Sequence, residues 1–364
     1  MVARYRYTFL SLGGERVIQE IDLYGVYLSM SLNGGDSQFD GTFQLDQTGK
    51  RNVDLVEATS PGRTFCVVER NDVPIGAWIV WSRVYSAQSK TIQMHGMPFD
   101  YYPRKQRILT NTIFNDVEQV EIFKSLWAQM QAVPGRNVNI NVPTGVAPTV
   151  VPKSLDVRTT EFKYYSEAMS SIANTSNGFD WYVAISKEGN YFRKDLRIGY
   201  PTLGTGVHPG LSIFEYPGNV TQYYMTESMA DAGTHVLLIG AGESDDMLTS
   251  EFVHSDLIVG GMPRWDVEVP RKDITTQANL NFVAGAVGPT RRPPMLTVKV
   301  TVKGDKIPEF GAYTLGDTAR VVIKDPRNPT GYERDARLVG WTLNPPDSES
   351  VEEAQLLFEG DENI

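Results

Sequence analysis

The clearest pattern along the chain is the strict alternation MLTVKVTVKGD over residues 295–305. Leu296, Val298, Val300 and Val302 point one way, and Thr297, Lys299, Thr301 and Lys303 the other, the period of a strand with one buried face. Just before it, DITTQANLNFVAGAVG takes on a helical period, with Leu280, Val283 and Val287 on one stripe and Ala278, Phe282 and Ala286 beside it. Asp273 is placed to cap this helix and Gly288-Pro289 to stop it. Arg291-Arg292-Pro293-Pro294 then reads as a hinge, and Leu315-Gly316-Asp317 as the start of a further strand. The unit from Asp273 to Asp317 is expected to latch one β-barrel through the apolar helix face, which would cover a barrel seam or pack against a neighbouring protomer, with Phe282 on the covered face.

The rest of the chain falls into three segments. Residues 1–105 predict about six or seven short strands at the spacing of a barrel or sandwich. Gly13-Gly14, Asn33-Gly34-Gly35-Asp36 and Asn71-Asp72 supply the turns between them. Residues 106–215 predict a small α+β unit. Asn115 or Asp116 caps a helix carrying Val120, Phe123, Trp127 and Met130, with Asn115 and Glu118 spaced as a capping box. Thr159 or Thr160 starts a second helix with Phe162, Tyr165, Met169 and Ile172 on one face, ended by Asn177-Gly178. A hairpin over 179–198 turns at Lys187-Glu188-Gly189-Asn190. Residues 216–364 return to strands, interrupted by an irregular and helical excursion at about 241–290.

Composition agrees with a folded, strand-rich protein: 41% hydrophobic, 21% charged, 32 Gly and 21 Pro in 364 residues. The formal charge of −10 argues against wrapping nucleic acid, which needs an excess of Lys and Arg. Arg291-Arg292 beside prolines reads as a hinge rather than a phosphate site. The single cysteine, Cys66 in TFCVVER, reads as a buried structural thiol, so no disulfide framework is expected. The first residues lack the apolar core of a secretion signal, and no window reaches the ~18 apolar residues of a membrane span. Synthesis in a cytoplasm without membrane insertion is the expectation.

Candidate chemistry is sparse. No phosphate loop is present, and Gly204-Thr205-Gly206-Val207-His208-Pro209-Gly210 has proline where a helix would start. His95, His208, His235 and His254 are not paired at helical spacing, which removes the zinc-hydrolase motif. Nucleophile elbows are absent, and Gly242-Glu243-Ser244-Asp245-Asp246 lacks the ligand spacing of a calcium loop. Asn174-Thr175-Ser176 and Asn219-Val220-Thr221 read as chance matches to a glycosylation site. Trp78, Trp81, Trp181 and Trp341 each lie in a predicted strand, where core packing outweighs a sugar-stacking platform. No catalytic, cofactor-binding or metal residue is assigned, and no cofactor is expected.

The order of several stretches nevertheless resembles a family. They are Ala58-Thr59-Ser60-Pro61-Gly62-Arg63-Thr64, Gly76-Ala77-Trp78-Ile79-Val80-Trp81-Ser82-Arg83 and Asn177-Gly178-Phe179-Asp180-Trp181. Lys272-Asp273-Ile274 with Gln277-Ala278-Asn279-Leu280, and Leu315-Gly316-Asp317-Thr318-Ala319-Arg320, complete the set. In this order the chain resembles the tail-hub (minor tail, baseplate-hub-like) proteins of long-tailed bacteriophages, most closely those of phages infecting actinobacteria. Asp246–Pro270 departs from the pattern. The resemblance implies a mainly β fold with an α+β insert: two β-barrel hub domains, 1–105 and 216–364, joined by the α+β domain 106–215. It also implies a homotrimeric ring at the tail tip, docked to a distal tail ring, the tape measure and receptor-binding tip proteins, with DNA only in transit. The expected place is the virion, after assembly in the host cytoplasm. Rival readings are a receptor- or carbohydrate-binding tail protein and a tail-associated cell-wall hydrolase.

Overall fold

A computed structural model describes residues 3–360 apart from 14–15, 48, 147, 176–177, 205–211, 243, 273, 305 and 348–351. The first segment holds strands β1 (Tyr5–Ser11), β2 (Val17–Glu20), β3 (Tyr24–Ser31) and β4 (Phe39–Gln44), then helix α1 (Asn52–Ala58). It continues with β5 (Thr64–Arg70), β6 (Val73–Ser86) and β7 (Thr91–Pro98). The middle segment holds β8 (Thr112–Glu118), α2 (Gln119–Ala132), β9 (Ile140–Asn141) and β10 (Pro152–Val157). After these come α3 (Tyr165–Ala173), β11 (Asp180–Glu188) and β12 (Tyr191–Gly199). The third segment holds β13 (Ile213–Tyr216), β14 (Val220–Ser228), β15 (His235–Ile239), β16 (Thr249–Val253), α4 (Ser255–Val259) and β17 (Asp266–Pro270). It ends with α5 (Gln277–Val287), β18 (Met295–Lys303), β19 (Thr318–Ile323), β20 (Tyr332–Asn344) and β21 (Glu353–Gly360).

Thirteen strands from the first and third segments form one continuous sheet. The first segment runs β2-β1-β5-β6-β7-β4-β3, and the third runs β14-β18-β21-β20-β19-β13. Each run starts and ends on strands adjacent in sequence, β2 with β3 and β13 with β14, but neither is closed into a barrel by a further ladder among the described residues. The long strand β20 joins them. One edge pairs with β21, while the other pairs with β19 at Tyr332–Arg337 and with β3 at Gly340–Leu343. Two β-barrel hub domains were expected; no closed barrel is found among the described residues, and the β20–β3 ladder joins the strands of both segments in one sheet. Leu28, Phe39 and Trp78 pack in the same cluster as Leu343 and Phe358.

Strand β5 is buried along its whole length because both of its faces are covered. Cys66 and Val68 face the shared core, while Phe65 and Val67 face a second cluster with Phe123, Trp127 and Trp181 of the middle segment. This explains the unbroken apolar run TFCVV, where a half-exposed strand would alternate.

The middle segment corrects two helix starts. Asn115 and Asp116 lie in β8, and Asp116 takes φ 53° where the β8–β10 register shifts, a bulge rather than a cap. Helix α2 is capped instead by Glu118, whose carboxylate accepts from the Glu121 amide at 3.0 Å, so the proposed Asn115 capping box does not form. Thr159–Glu161 makes a single tight turn that breaks at Phe162 (φ 56°), and α3 begins only at Tyr165. Phe162 is therefore exposed rather than on the packed face of Tyr165, Met169 and Ile172. The α3 helix ends at Ala173; Asn177 lies outside the described residues.

The helix before the alternating strand is also reassigned. Strands β14 and β18 are antiparallel neighbours, so everything between them is an insertion at a hairpin. There β16-β15-β17 form a separate three-stranded sheet, and α5 packs on it through Leu280 and Ala284 against Val236, Leu238 and Ile274. Helix α5 thus covers its own small sheet and not the large one, and Phe282, 71% exposed, faces away. Thr276 precedes α5 without a side-chain cap, and the expected cap Asp273 lies outside the described residues. In β18, Val298, Val300 and Val302 are buried in the shared core as the alternation predicts, while Leu296 is half-buried and Thr301 on the other face is buried as well.

Candidate functional site at the junction of the segments

The residues weighed for chemistry take structural places. His95 Nδ1 lies 2.9 Å from Asp40 Oδ1. His235 sits between Glu251 (3.1 Å) and Asp266 (2.9 Å). His254 Nε2 lies 3.1 Å from the Gly288 carbonyl oxygen, and burial pushes its pKa down. The Cys66 thiol is buried, which pushes its pKa up. Trp78, Trp181 and Trp341 are core residues, while Trp81 is half-buried against Tyr101. Arg292 Nη2 pairs with Asp256 Oδ2 at 2.5 Å, and the Asn219 amide nitrogen donates to the Ile213 and Ile307 carbonyls. His208, Glu243 and residues 205–210 lie outside the described residues. Among those described, no group of three or more His, Cys, Asp or Glu is arranged to hold a metal, and no helix is long and apolar enough to cross a membrane.

What the fold does concentrate is charge at the meeting of the three segments. Arg70, at the end of β5, places Nε 2.9 Å from Glu352 Oε1 just ahead of β21. Both side chains are almost wholly buried, at 7% and 6% exposure. The guanidinium also donates to the Phe310 carbonyl at 2.9 Å and the Gly304 carbonyl at 3.1 Å, so its fork is spent on fixed acceptors. Burial of Tyr5 and the nearby Glu352 charge push the Tyr5 hydroxyl pKa far up.

Asp180, at the start of β11, ties all three segments together. One carboxylate oxygen accepts from Asn33 Nδ2 at 3.0 Å, and the other accepts from the Leu203 amide at 2.9 Å and from Arg337. The Asn33 amide donates to the Trp181 carbonyl at 2.8 Å, and the Trp181 amide donates back to Asn33 Oδ1 at 2.9 Å. Alongside, Lys187 of β11 meets the buried Glu69 of β5 at 2.5 Å. Asp100 accepts from the Val183 amide at 2.7 Å, and its burial pushes the carboxyl up to about 7. A cavity of about 150 Å³ lies beside this network, lined by Ile75 of the first segment, Tyr182 and Ile185 of the middle one, and Phe310, Tyr313 and Trp341 of the third.

These contacts hold parts in register. Arg70, Glu352, Glu69 and Asp180 are committed to charged partners or to backbone groups. Sequence reasoning missed Arg70, Glu352, Asp180 and Arg337 because each partner lies far away in the chain. The one local signal was the polar pair Glu69-Arg70 closing an apolar strand.

The fold is that of a mainly β protein built on one large sheet, with α+β units set into it. Solved structures share it. A tail protein from Neisseria meningitidis matches with a TM-score of 0.62 at 14% identity, over 98% of this chain and 97% of that one. A 43 kDa tail protein of prophage MuSo2 from Shewanella oneidensis matches with a TM-score of 0.62 at 13% identity, over 97% and 98%. A prophage tail protein from Listeria monocytogenes matches with a TM-score of 0.55 at 9% identity, over 99% and 95%. No protein-family profile and no curated protein sequence matches the chain.

Proposed function

We propose that this chain is a structural tail-hub protein at the distal tip of a non-contractile phage tail, without catalysis of its own. The observation that supports the reading is the match of nearly the whole chain to tail proteins, those of two prophages among them. The two strand runs, each beginning and ending on strands adjacent in sequence, would serve as two barrel-like units. Three copies then present six such units, which adapts sixfold tail rings to a threefold tip. The buried polar ties make each copy rigid enough for this: the angle between its two units is set within the chain before assembly. Its neighbours would be the distal tail ring, the tape measure and the tip proteins that meet the receptor. Three copies carry −30 in all (three times −10), which suits a conduit through which DNA passes without sticking, since like charges repel over a Debye length of about 8 Å.

Electron microscopy of the virion tail tip, with the chain located by antibody and its copies counted, tests the reading. Three copies framing a channel at the distal tip are expected. A location along the tail tube or in the head, or a single copy per particle, overturns it.

A further inference from the structure

Two buried polar atoms near the junction, Asp100 Oδ2 and Trp181 Nε1, have no hydrogen-bond partner among the described residues. Their residues are 3% and 4% exposed, and the other carboxylate oxygen of Asp100 is taken by the Val183 amide. A buried donor or acceptor without a partner is costly, and native folds leave few of them. These two are of opposite kind: the carboxylate oxygen accepts, and the indole nitrogen can only donate.

Both residues line one cavity of about 30 Å³ where the first and middle segments meet. Around it stand Gly34 in the turn after β3, Arg104 in the tight turn Phe99–Lys105, and Ser166 and Ser170 one turn apart on α3. Its walls are held in place. Arg104 Nη2 donates to the Gly34 carbonyl at 2.6 Å, and Asn33 exchanges two hydrogen bonds with the Trp181 backbone. The indole is aimed at this space, because its Cζ2, on the edge that carries Nε1, lies 3.4 Å from where a Cβ on Gly34 would stand.

Size and chemistry select the occupant. A water molecule needs roughly 10–15 Å³ and two to four polar partners, whereas a cavity that takes a benzene ring measures about 150 Å³. A cation here would face the indole N–H, and an anion would face the Asp100 carboxylate, so either ion meets like polarity on one side. Water suits both walls. It donates to the carboxylate oxygen, accepts from the indole, and finds the Ser166 and Ser170 hydroxyls lining the same space.

We propose that one ordered water molecule occupies this cavity, donates to Asp100 Oδ2 and accepts from Trp181 Nε1, and so joins the first segment to the middle one. The site stands independently of the tail reading above.

The Trp181 indole is the reporter. With six tryptophans in the chain, the indole N–H signals of the full protein labelled with heavy nitrogen are few, and Trp181→Phe identifies the one that matters. That signal should show a cross-peak to water, of the sign given by direct contact rather than by proton exchange. Trp127 is the control, since its indole nitrogen is also buried and unpartnered but does not line the cavity. Its signal, identified by Trp127→Phe, should show none. Should a variant fail to fold, crystals of the wild type at a resolution that shows ordered water decide the matter without one. A single density peak within about 2.7–3.2 Å of both atoms is expected. No peak there, or a direct bond from either atom to a serine hydroxyl in its place, overturns the inference. So does a water cross-peak absent at Trp181, or one equally strong at Trp127.

Discussion

Arg70 and Glu352 stand 282 positions apart in the chain and 2.9 Å apart in the fold, in a site that water scarcely reaches. This pair bridges the first and third segments. Breaking it from one side strands a charge. Arg70→Met or Glu352→Leu alone should each lower stability by about 3–5 kcal/mol, while the double variant recovers most of the loss because no unpaired charge remains. Urea unfolding of the three variants checks this; a double variant as unstable as the sum of the singles contradicts it.

Gly304 makes the pair possible. A Cβ placed there would sit 1.8 Å from Glu352 Oε1, so only glycine lets the carboxylate come so close. Gly304→Ala should therefore displace Glu352 and destabilise to a similar degree as Arg70→Met, with little further loss when the two are combined. Denaturation midpoints of the single and combined variants read this coupling; fully additive losses count against it.

Leu280 and Phe282 are two residues apart on α5 and should behave oppositely. Leu280 is wholly buried in the small inserted core, so Leu280→Ala should cost about 2–5 kcal/mol there. Phe282→Asp lies on the exposed side and should change the stability of the isolated chain by less than about 0.5 kcal/mol. Hydrogen exchange separates the units: amides of β15, β16 and β17 should lose protection in the Leu280 variant while those of β5 keep it.

Asp100 gives the stability a pH dependence of defined sign. Its folded carboxyl titrates at about 7 against an ordinary 3.8, so between these values the folded chain holds a proton that the unfolded chain has released. Stability from this site is highest at low pH, falls as pH rises from about 4 to about 7, and is level above that, by as much as about 4 kcal/mol in all. Asp100→Asn removes the slope. The difference between wild-type and variant unfolding free energies, measured across pH 4–8, reports the site alone; a flat difference is the contrary result.

Much of the secondary structure was legible because its signals are local. The alternation of Leu296 to Val302 marked β18, and the turn at Gly189 marked the β11–β12 hairpin. Errors arose where a local rule met a tertiary demand. Asp116 has the composition of a helix cap, yet pairing with β10 holds it in a bulge, and Glu118, hydrogen-bonded also to the Thr149 amide at 3.0 Å, caps the helix instead. The 11-residue helix Gln277–Val287 is apolar on more than one side, so periodicity alone could not say that Leu280 turns inward and Phe282 outward.

By itself, then, the sequence determined the succession of strand-rich, mixed and strand-rich segments, a buried thiol and the sparseness of catalytic motifs. Each of these follows from the period, type or spacing of residues close together in the chain. Only the tertiary structure decided that β20 joins β3, that α5 covers a sheet of its own, and that Arg70 meets Glu352 while Asp180 gathers Asn33 and Arg337. Those pairings depend on burial and on contacts between residues far apart along the chain. A charged residue looks the same in a sequence whether it ends in solvent or in a core; which it does is settled by what the rest of the chain packs around it.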